Sequence, residues 1–370
     1  MKKDLLYQLS ICDVPHIGPV QTKILCEVFG SALEIFRAST SQLETVEGIG
    51  SIRARSIKQF RNFNKAEKEM VFIEKYGIQP LFLTDDAYPK RLLNCYDPPP
   101  LLFYKGTANL NTSRIVSVVG TRNNSEYGRM VTEKLMKELA ALNVLIVSGL
   151  AYGIDSIAHK NALLYGAATV GVLGHGLDSI YPSENTQLAK EMVKNGGLLT
   201  EFRSKTNPDK HNFPSRNRIV AGISDATIII ESGIKGGSMI TADIAGGYNR
   251  EVFAYPGRTI DSRSAGCNYL IRSNKAVLTT DPVHLTEAMG WENPKQVASA
   301  SRQLFLLDLG ENEKKIIELL RMKESLAIGE LTLSLGISGN LLASALLNLE
   351  MQKVTKSLPG KRYRLLDSNV

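Results

Sequence analysis

Five short apolar runs constrain this chain more than any other feature. They are Ile115-Val116-Ser117-Val118-Val119, Val144-Leu145-Ile146-Val147-Ser148, Ala168-Thr169-Val170-Gly171-Val172-Leu173, Ala226-Thr227-Ile228-Ile229-Ile230 and Glu251-Val252-Phe253-Ala254. Each is nearly continuous in β-branched residues, so each predicts a strand buried on both faces rather than one that alternates between core and water. The stretches between them run to ten residues or more and have helical patterns, which is the spacing a parallel crossover needs. From Arg114 to about Leu285 the expectation is therefore a doubly wound α/β sheet, with ligands at the carboxyl ends of its strands.

The flanks differ in kind. Residues 1–76 read as short amphipathic helices separated by glycine turns. Val14-Pro15-His16-Ile17-Gly18-Pro19 and Val46-Glu47-Gly48-Ile49-Gly50, about thirty residues apart, each precede a helical pattern. Both have the form of a helix-hairpin-helix turn, which either holds a DNA phosphate at a helix N-terminus or merely packs two helices. A connector from Gly77 to Gly106 carries Tyr88-Pro89 and Asp97-Pro98-Pro99-Pro100, and these prolines predict an extended path into the sheet domain, 77–290. Residues 291–304 read as a linker. In 305–370, helices over Glu313–Met322, from Ile328, and from Ser338 to Gln352 precede a basic hairpin, Lys353–Leu366, turning at Pro359-Gly360. That is the sequence form of a winged helix, serving either a duplex or a protein partner.

The strand ends carry the chemistry. The first strand leaves Gly120-Thr121-Arg122 and the second Ser148-Gly149-Leu150-Ala151-Tyr152-Gly153-Ile154-Asp155. Glu231-Ser232-Gly233-Ile234-Lys235-Gly236-Gly237-Ser238-Met239-Ile240-Thr241 follows the fourth run. Glycines there let amides approach an anion, and hydroxyls with a helix dipole complete a cradle. Each loop alone is equally a tight strand-to-helix junction. The segment Phe213-Pro214-Ser215-Arg216-Asn217-Arg218 adds two guanidiniums suited to forked phosphate contacts and a ring able to stack on a base, with Lys210 just upstream. Read alone, it is equally a loop with two solvated arginines. The combination favours a phosphate-binding site.

No G-x-G-x-x-G follows the first strand and no P-loop lysine is present. His159, His175 and His211 are too dispersed to predict a metal, no cofactor is expected, and no catalytic pair stands out. Asp155, at a helix start, is expected to cap or to hold a backbone amide. A net charge of +7 suits a polyanion partner. Cys12, Cys26, Cys95 and Cys267 are scattered without metal or disulfide spacing, and no apolar run suggests a leader or a membrane span. The expectation is a cytoplasmic protein in a reducing compartment.

Together, Gly120-Thr121-Arg122, Ser148-Gly149-Leu150-Ala151-x-Gly153-Ile154-Asp155, Phe213-Pro214-x-Arg216-Asn217-Arg218-Ile219, Gly237-Ser238-x-Ile240-Thr241-Ala242 and Gly266-x-Asn268-x-Leu270-Ile271 closely resemble the DprA/Smf family. Tyr88-Pro89 and Asp97-Pro98-Pro99 resemble that family's leading segment. The resemblance implies an extended Rossmann-like sheet flanked by a helical N-terminal domain and a C-terminal winged helix. It implies a protein without enzymatic activity that binds and protects single-stranded DNA in natural transformation and helps load the RecA recombinase, as a homodimer joined through the Rossmann-like domains. Arg122 and Lys210 would contact phosphates and Phe213 would stack on a base. Gly120, Thr121, Ser148, Gly149, Gly153, Arg216, Asn217, Arg218, Gly236, Gly237, Ser238, Thr241 and Asn268 would complete the DNA site. The chain departs from the family pattern at Tyr152, where arginine is usual, at Cys267, and at Ser273-Asn274-Lys275. Two competing readings are a nucleotide-processing hydrolase resembling the lysine-decarboxylase-like phosphoribohydrolases and a duplex-DNA regulator led by the winged helix. The hydrolase would require a proline and a Gly-Thr end around Gly236-Gly237 that this chain lacks.

Overall fold

The computed structural model describes residues 2–291, 309–323, 325–351, 354–358 and 361–365. They form two compact units that divide after Trp291. Most of the expected linker, and the turn at Pro359-Gly360, lie outside the described residues.

Six helices open the first unit: α1 (Lys2–Ile11), α2 (Pro19–Phe29), α3 (Ala32–Arg37), α4 (Thr40–Glu44), α5 (Gly50–Gln59) and α6 (Asn64–Tyr76). The two expected hairpin turns join α1 to α2 and α4 to α5. Each needs a positive φ, taken at His16 (66°) in the first and at Gly48 (78°) and Gly50 (54°) in the second. Val14, Ile17, Val46 and Ile49 bury the apolar side of both turns. Arg53 ties one turn to the other, its Nε donating to the His16 carbonyl at 3.1 Å and its Nη1 to the Gly48 carbonyl at 2.5 Å.

The 77–106 connector does more than run extended. It supplies β1 (Gln79–Phe82), α7 (Lys90–Leu93) and β2 (Leu101–Gly106), which pair antiparallel and extend the sheet at one edge. Phe82, Leu101 and Phe103 share one apolar cluster with the N-terminal helices. The remaining elements are β3 (Ile115–Val119), α8 (Glu126–Ala141), β4 (Leu145–Ser148), α9 (Ile154–Leu164), β5 (Thr169–Val172), α10 (Thr186–Lys194), β6 (Gly196–Thr200), α11 (Asn212–Gly222), β7 (Ala226–Ile229), α12 (Gly237–Gly247), β8 (Glu251–Ala254), α13 (Ala265–Arg272), β9 (Val277–Leu278) and α14 (Pro282–Ala288).

The nine strands lie in the order β1-β2-β6-β5-β4-β3-β7-β8-β9, and every pair from β6 to β9 is parallel. All five strands expected from the apolar runs are present. Their alternate residues feed two cores: Ile115, Val119, Leu145 and Val147 on one face, Val116, Val118 and Ile146 on the other. The chain begins the parallel sheet at β3, winds outward through β4, β5 and β6, then returns to place β7 on the other side of β3. The switch point therefore lies between the carboxyl ends of β3 and β7, where an open α/β sheet leaves a crevice.

β6 begins with two glycines, and both are required by close backbone approach. Gly196 has φ 146°, and a Cβ there would come within 1.9 Å of the Thr169 carbonyl oxygen; one on Gly197 would lie 2.4 Å from the Tyr104 ring. The second unit contains α15 (Glu311–Met322), β10 (Leu326–Ala327), α16 (Ile328–Leu335), α17 (Gly339–Met351), β11 (Thr355–Leu358) and β12 (Arg362–Leu365). Its strands pair in the order β10-β12-β11, antiparallel, giving a winged helix around Ile316, Leu331, Leu342 and Leu346.

Replacing Gly196 by Ala is expected to cost about 2 kcal/mol or more, because strained φ and overlap act together. A urea titration of the Gly196→Ala variant against the parent chain measures it.

Candidate nucleic-acid interface

The β3–β7 crevice opens into a cavity of about 420 Å³. Three elements line it: the loop after β3 with Gly120, Thr121 and Arg122; the first turns of α11 with Phe213, Arg216 and Asn217; and the start of α12 with Gly236, Gly237, Ser238 and Thr241. Lys210, just before α11, completes the wall, as do Ser232 and Gly233 after β7. The structure thus brings eleven expected site residues to one place, from loops separated by more than a hundred residues.

The Phe213–Arg218 segment is helical. Pro214 falls in the first turn of α11, where a missing N–H breaks no bond. Helical geometry then decides the two arginines, because residues two apart point about 200° from one another. Phe213, Arg216 and Asn217 share the cavity face. Arg218 turns the other way, and its guanidinium is spent on the Asp97 carbonyl and on the Glu201 carboxylate at 2.5 Å. The expected phosphate role for Arg218 therefore does not fit this geometry; it joins α11 to the leading segment instead. Asn268 is also away from the cavity, holding the Gly257 backbone through its Nδ2 (3.0 Å) and Oδ1 (3.2 Å).

Ser148, Gly149 and Gly153 shape the site without lining the main cavity. The buried Ser148 hydroxyl donates to the Val118 carbonyl at 2.6 Å. At Gly153, φ is 76° and a Cβ would meet the Thr121 carbonyl oxygen at 2.3 Å. Gly149 makes room for Arg216: a Cβ there would lie 1.5 Å from its Nη1. Arg216 is 5% exposed, and its Nε has no hydrogen-bond partner among the described residues. Burial lowers its pKa from the ordinary guanidinium value; Asp155 opposes that shift and Arg122 adds to it. Asp155 is itself held by the amides of Gly149 (3.1 Å) and Ala151 (3.4 Å), the backbone-holding role its place at a helix start suggests. Burial raises its pKa while Arg216 and these amides pull it down.

Arg122 and Lys210 are exposed. The Arg122 guanidinium lies over the Phe213 ring, 5.5 Å from its centroid, a cation–π contact. Phe213 separates the main cavity from a small recess walled by Leu173, His175, Pro182 and Tyr181, whose ring lies 6.1 Å from it, and by Arg122 and Arg216. Tyr181 carried no sequence signal, for it lies in an irregular stretch far from the glycine loops. Tyr152, at the position where arginine was expected, also lines this recess.

The helices that follow β3 and β7 differ at their N-termini. At α8, Ser125 caps Gly128 at 3.1 Å, and the Glu231 carboxylate accepts from the Ser125 amide at 2.8 Å and from its hydroxyl. That end is occupied by the chain itself. At α12 the N-cap is Gly236, with no side chain to satisfy the first N–H groups, and Ser238 and Ser232 link hydroxyls beside it at 2.7 Å. The dipole of α12 is therefore open to an anion where that of α8 is not.

His159 is fully buried beneath the site. Its Nδ1 lies 2.6 Å from the Thr169 hydroxyl, which is also within 3.1 Å of the Ile146 carbonyl. Its Nε2 has no hydrogen-bond partner among the described residues. Burial, with Arg216 second, pushes its pKa down to about 3. No group of three or more His, Cys, Asp or Glu residues among the described residues could hold a metal, and no single described helix is long and apolar enough to cross a membrane.

These features define a Rossmann-like domain whose switch-point crevice is basic, aromatic-walled and open at one helix N-terminus. Residues 79–290 match the family model of DNA recombination-mediator protein A, and residues 4–71 match a helix-hairpin-helix motif. The chain is 34% identical over 316 residues to Protein Smf of Synechocystis, spanning 83% of this chain and 75% of that one. It is 39% identical over 229 residues to DNA processing protein DprA of Bacillus subtilis, spanning 61% and 76%. The crystal structure of DNA processing protein A from Streptococcus pneumoniae superposes with a TM-score of 0.65 at 32% identity, covering 75% of this chain and 95% of that one. A Helicobacter pylori DNA processing protein A, studied for its single-stranded DNA binding mode, gives 0.53 at 33% identity, over 57% and 95%. The chain belongs to the DprA/Smf family of DNA recombination-mediator proteins.

The depressed His159 pKa has a sign. Below about pH 6.5 the unfolded chain takes up a proton that the folded protein refuses, so stability falls as pH drops from there toward 3. Between pH 7.5 and 5 this one group removes about 2 kcal/mol. Chemical denaturation at both pH values is expected to show a pH dependence smaller by that amount in His159→Gln.

Proposed function

We propose that this protein binds single-stranded DNA in the β3–β7 crevice, shields it, and passes it to a RecA-type recombinase as a homodimer. The observation that carries the DNA reading is the convergence of Arg122, Lys210 and Arg216 on one cavity beside the Phe213 ring. Three cations and the α12 N-terminus suit a run of phosphates and require no base sequence. The half-buried Phe213 ring at the cavity wall suits an unstacked base, which a duplex hides; stacking of this kind contributes about 1–3 kcal/mol per base. The recombinase and dimer roles, and the place in natural transformation, rest on family membership; the family's description as a recombination mediator supports the recombinase role.

A hydrolase reading has less support. Among the described residues Asp155 is the one carboxylate lining the cavity, and two backbone amides hold it. It therefore lacks the free acid–base pair that hydrolysis needs. Duplex reading by the second unit is likewise disfavoured, since α17, in the position of a recognition helix, has no Lys or Arg between Gly339 and Met351.

Fluorescence anisotropy with labelled oligo-dT across a salt series, beside a matched duplex, is the direct test. Three phosphate contacts predict a slope of log affinity against log salt near −2, at about −0.7 each. Arg122→Glu is expected to weaken binding about ten- to hundredfold, and Phe213→Ala about fivefold or more, both without loss of thermal stability. Equal binding by both variants would remove the reading. Arg218→Ala behaves oppositely: it strands the buried Glu201 carboxylate and destabilises by about 3–5 kcal/mol, while the folded fraction keeps its affinity.

A further inference from the structure

A second groove, of about 600 Å³, lies between α6 and the loop that follows β6. Lys65, Lys68, Phe72 and Lys75 recur along α6 at spacings of three and four, so one helix face presents three ammonium groups around an aromatic ring. Lys205 faces them from the loop. Lys65, Lys68 and Lys205 are exposed, and no carboxylate pairs with any of them among the described residues. The acids that line the groove are already committed. Asp13 binds Arg203 at 2.7 Å, and Glu69 accepts from the Ser204 amide (3.0 Å) and hydroxyl (2.6 Å). Glu67 and Glu74 lie on other faces of the helix and do not line the groove. What remains is net positive and carries an aromatic pair, Phe72 and Tyr76, with centroids 4.6 Å apart; Tyr76 is 46% exposed.

We propose that this groove is a second single-stranded DNA track, continuing the path of the strand held in the crevice. The proposal rests on the DNA reading of that crevice. Continuity supplies the occupant, because one loop serves both places. Lys205 stands in the groove and Lys210 in the cavity wall, five residues apart, so their Cα atoms lie at most about 18 Å from one another. A few nucleotides bridge that distance. Unpaired lysines beside the exposed Tyr76 ring, backed by the half-buried Phe72, are the elements of a sequence-tolerant single-strand groove, in which the ammonium groups follow the backbone and the ring accepts a base. An acidic peptide would use the lysines and leave the aromatic pair without a partner.

The test compares an oligo-dT of about five nucleotides, which fills the crevice alone, with one of about twenty. The probes are the labelled oligonucleotides and a labelled poly-glutamate peptide, with the full chain. In the wild type, the longer strand is expected to bind more tightly and to steepen the salt slope by about 2, from three added phosphate contacts at about 0.7 each. The triple variant Lys65→Gln/Lys68→Gln/Lys205→Gln keeps the affinity for the short strand and loses the gain with length. Tyr76→Ala weakens the long strand alone, by about fivefold or more. If the triple variant matches wild type on both strands in affinity and salt slope, the second track is refuted while the crevice stands. Loss of poly-glutamate binding with unchanged DNA binding would give the groove to an acidic protein segment and refute the track as well. If the wild type binds neither strand, the crevice reading and the track fall together.

Discussion

The site depends on a positive charge held out of water. Arg216 is buried at the base of the crevice, and removing a guanidinium from solvent is costly unless an opposite charge and good geometry offset it. Asp155 supplies the charge, and the amides of Gly149 and Ala151 hold that carboxylate in place. The backbone around β4 and α9 is shaped to this need: Gly149 has no Cβ where the guanidinium packs, and Gly153 bends the chain under Thr121. His159 below must remain neutral for the same reason, since a second buried cation there would have no carboxylate to meet it. A charge fixed in a low-dielectric wall acts on a phosphate more strongly than the same charge waving in solvent. Arg122 and Lys210 above it are exposed and free to adapt.

Much of this fold was legible because its central strands are buried on both faces. Double burial leaves an unbroken apolar run such as Ile115–Val119, and the length of the spacers then dictates parallel pairing. The strands on one side of the sheet were harder to read. β6 begins with Gly196-Gly197, and glycine weakens a strand signal while here meeting a packing demand imposed by Thr169 and Tyr104. β1 and β2 lay in a connector whose prolines announce extension without announcing pairing. Nothing local says that Leu101–Gly106 will meet a strand nearly a hundred residues later in the chain.

The site divided in a similar way. The glycine loops and the Phe213–Asn217 segment carry their chemistry in short runs, and the topology gathers them. Arg218 and Asn268 lie within the same motifs, yet one faces Asp97 and Glu201 and the other binds Gly257. A motif records which residues matter together and not whether each acts on a ligand or on the frame. Helix phase separates these roles for Arg216 and Arg218, and phase becomes visible only once the segment is known to be helical. Tyr181 shows the opposite limit: it stands beside Phe213 through tertiary packing alone.

Glu231 sets the chemical company this fold can keep. Rossmann-like sheets elsewhere collect free nucleotides at the first helix N-terminus, but here a carboxylate of the same chain already sits against the start of α8. An internal anion at fixed position cannot be diluted away, so soluble cofactors meet a standing competitor at the place they would use. The neighbouring crevice is left to ligands that engage several cations at once. Beside an occupied helix start, a ligand that reaches several cations is favoured over one that needs a single helix N-terminus.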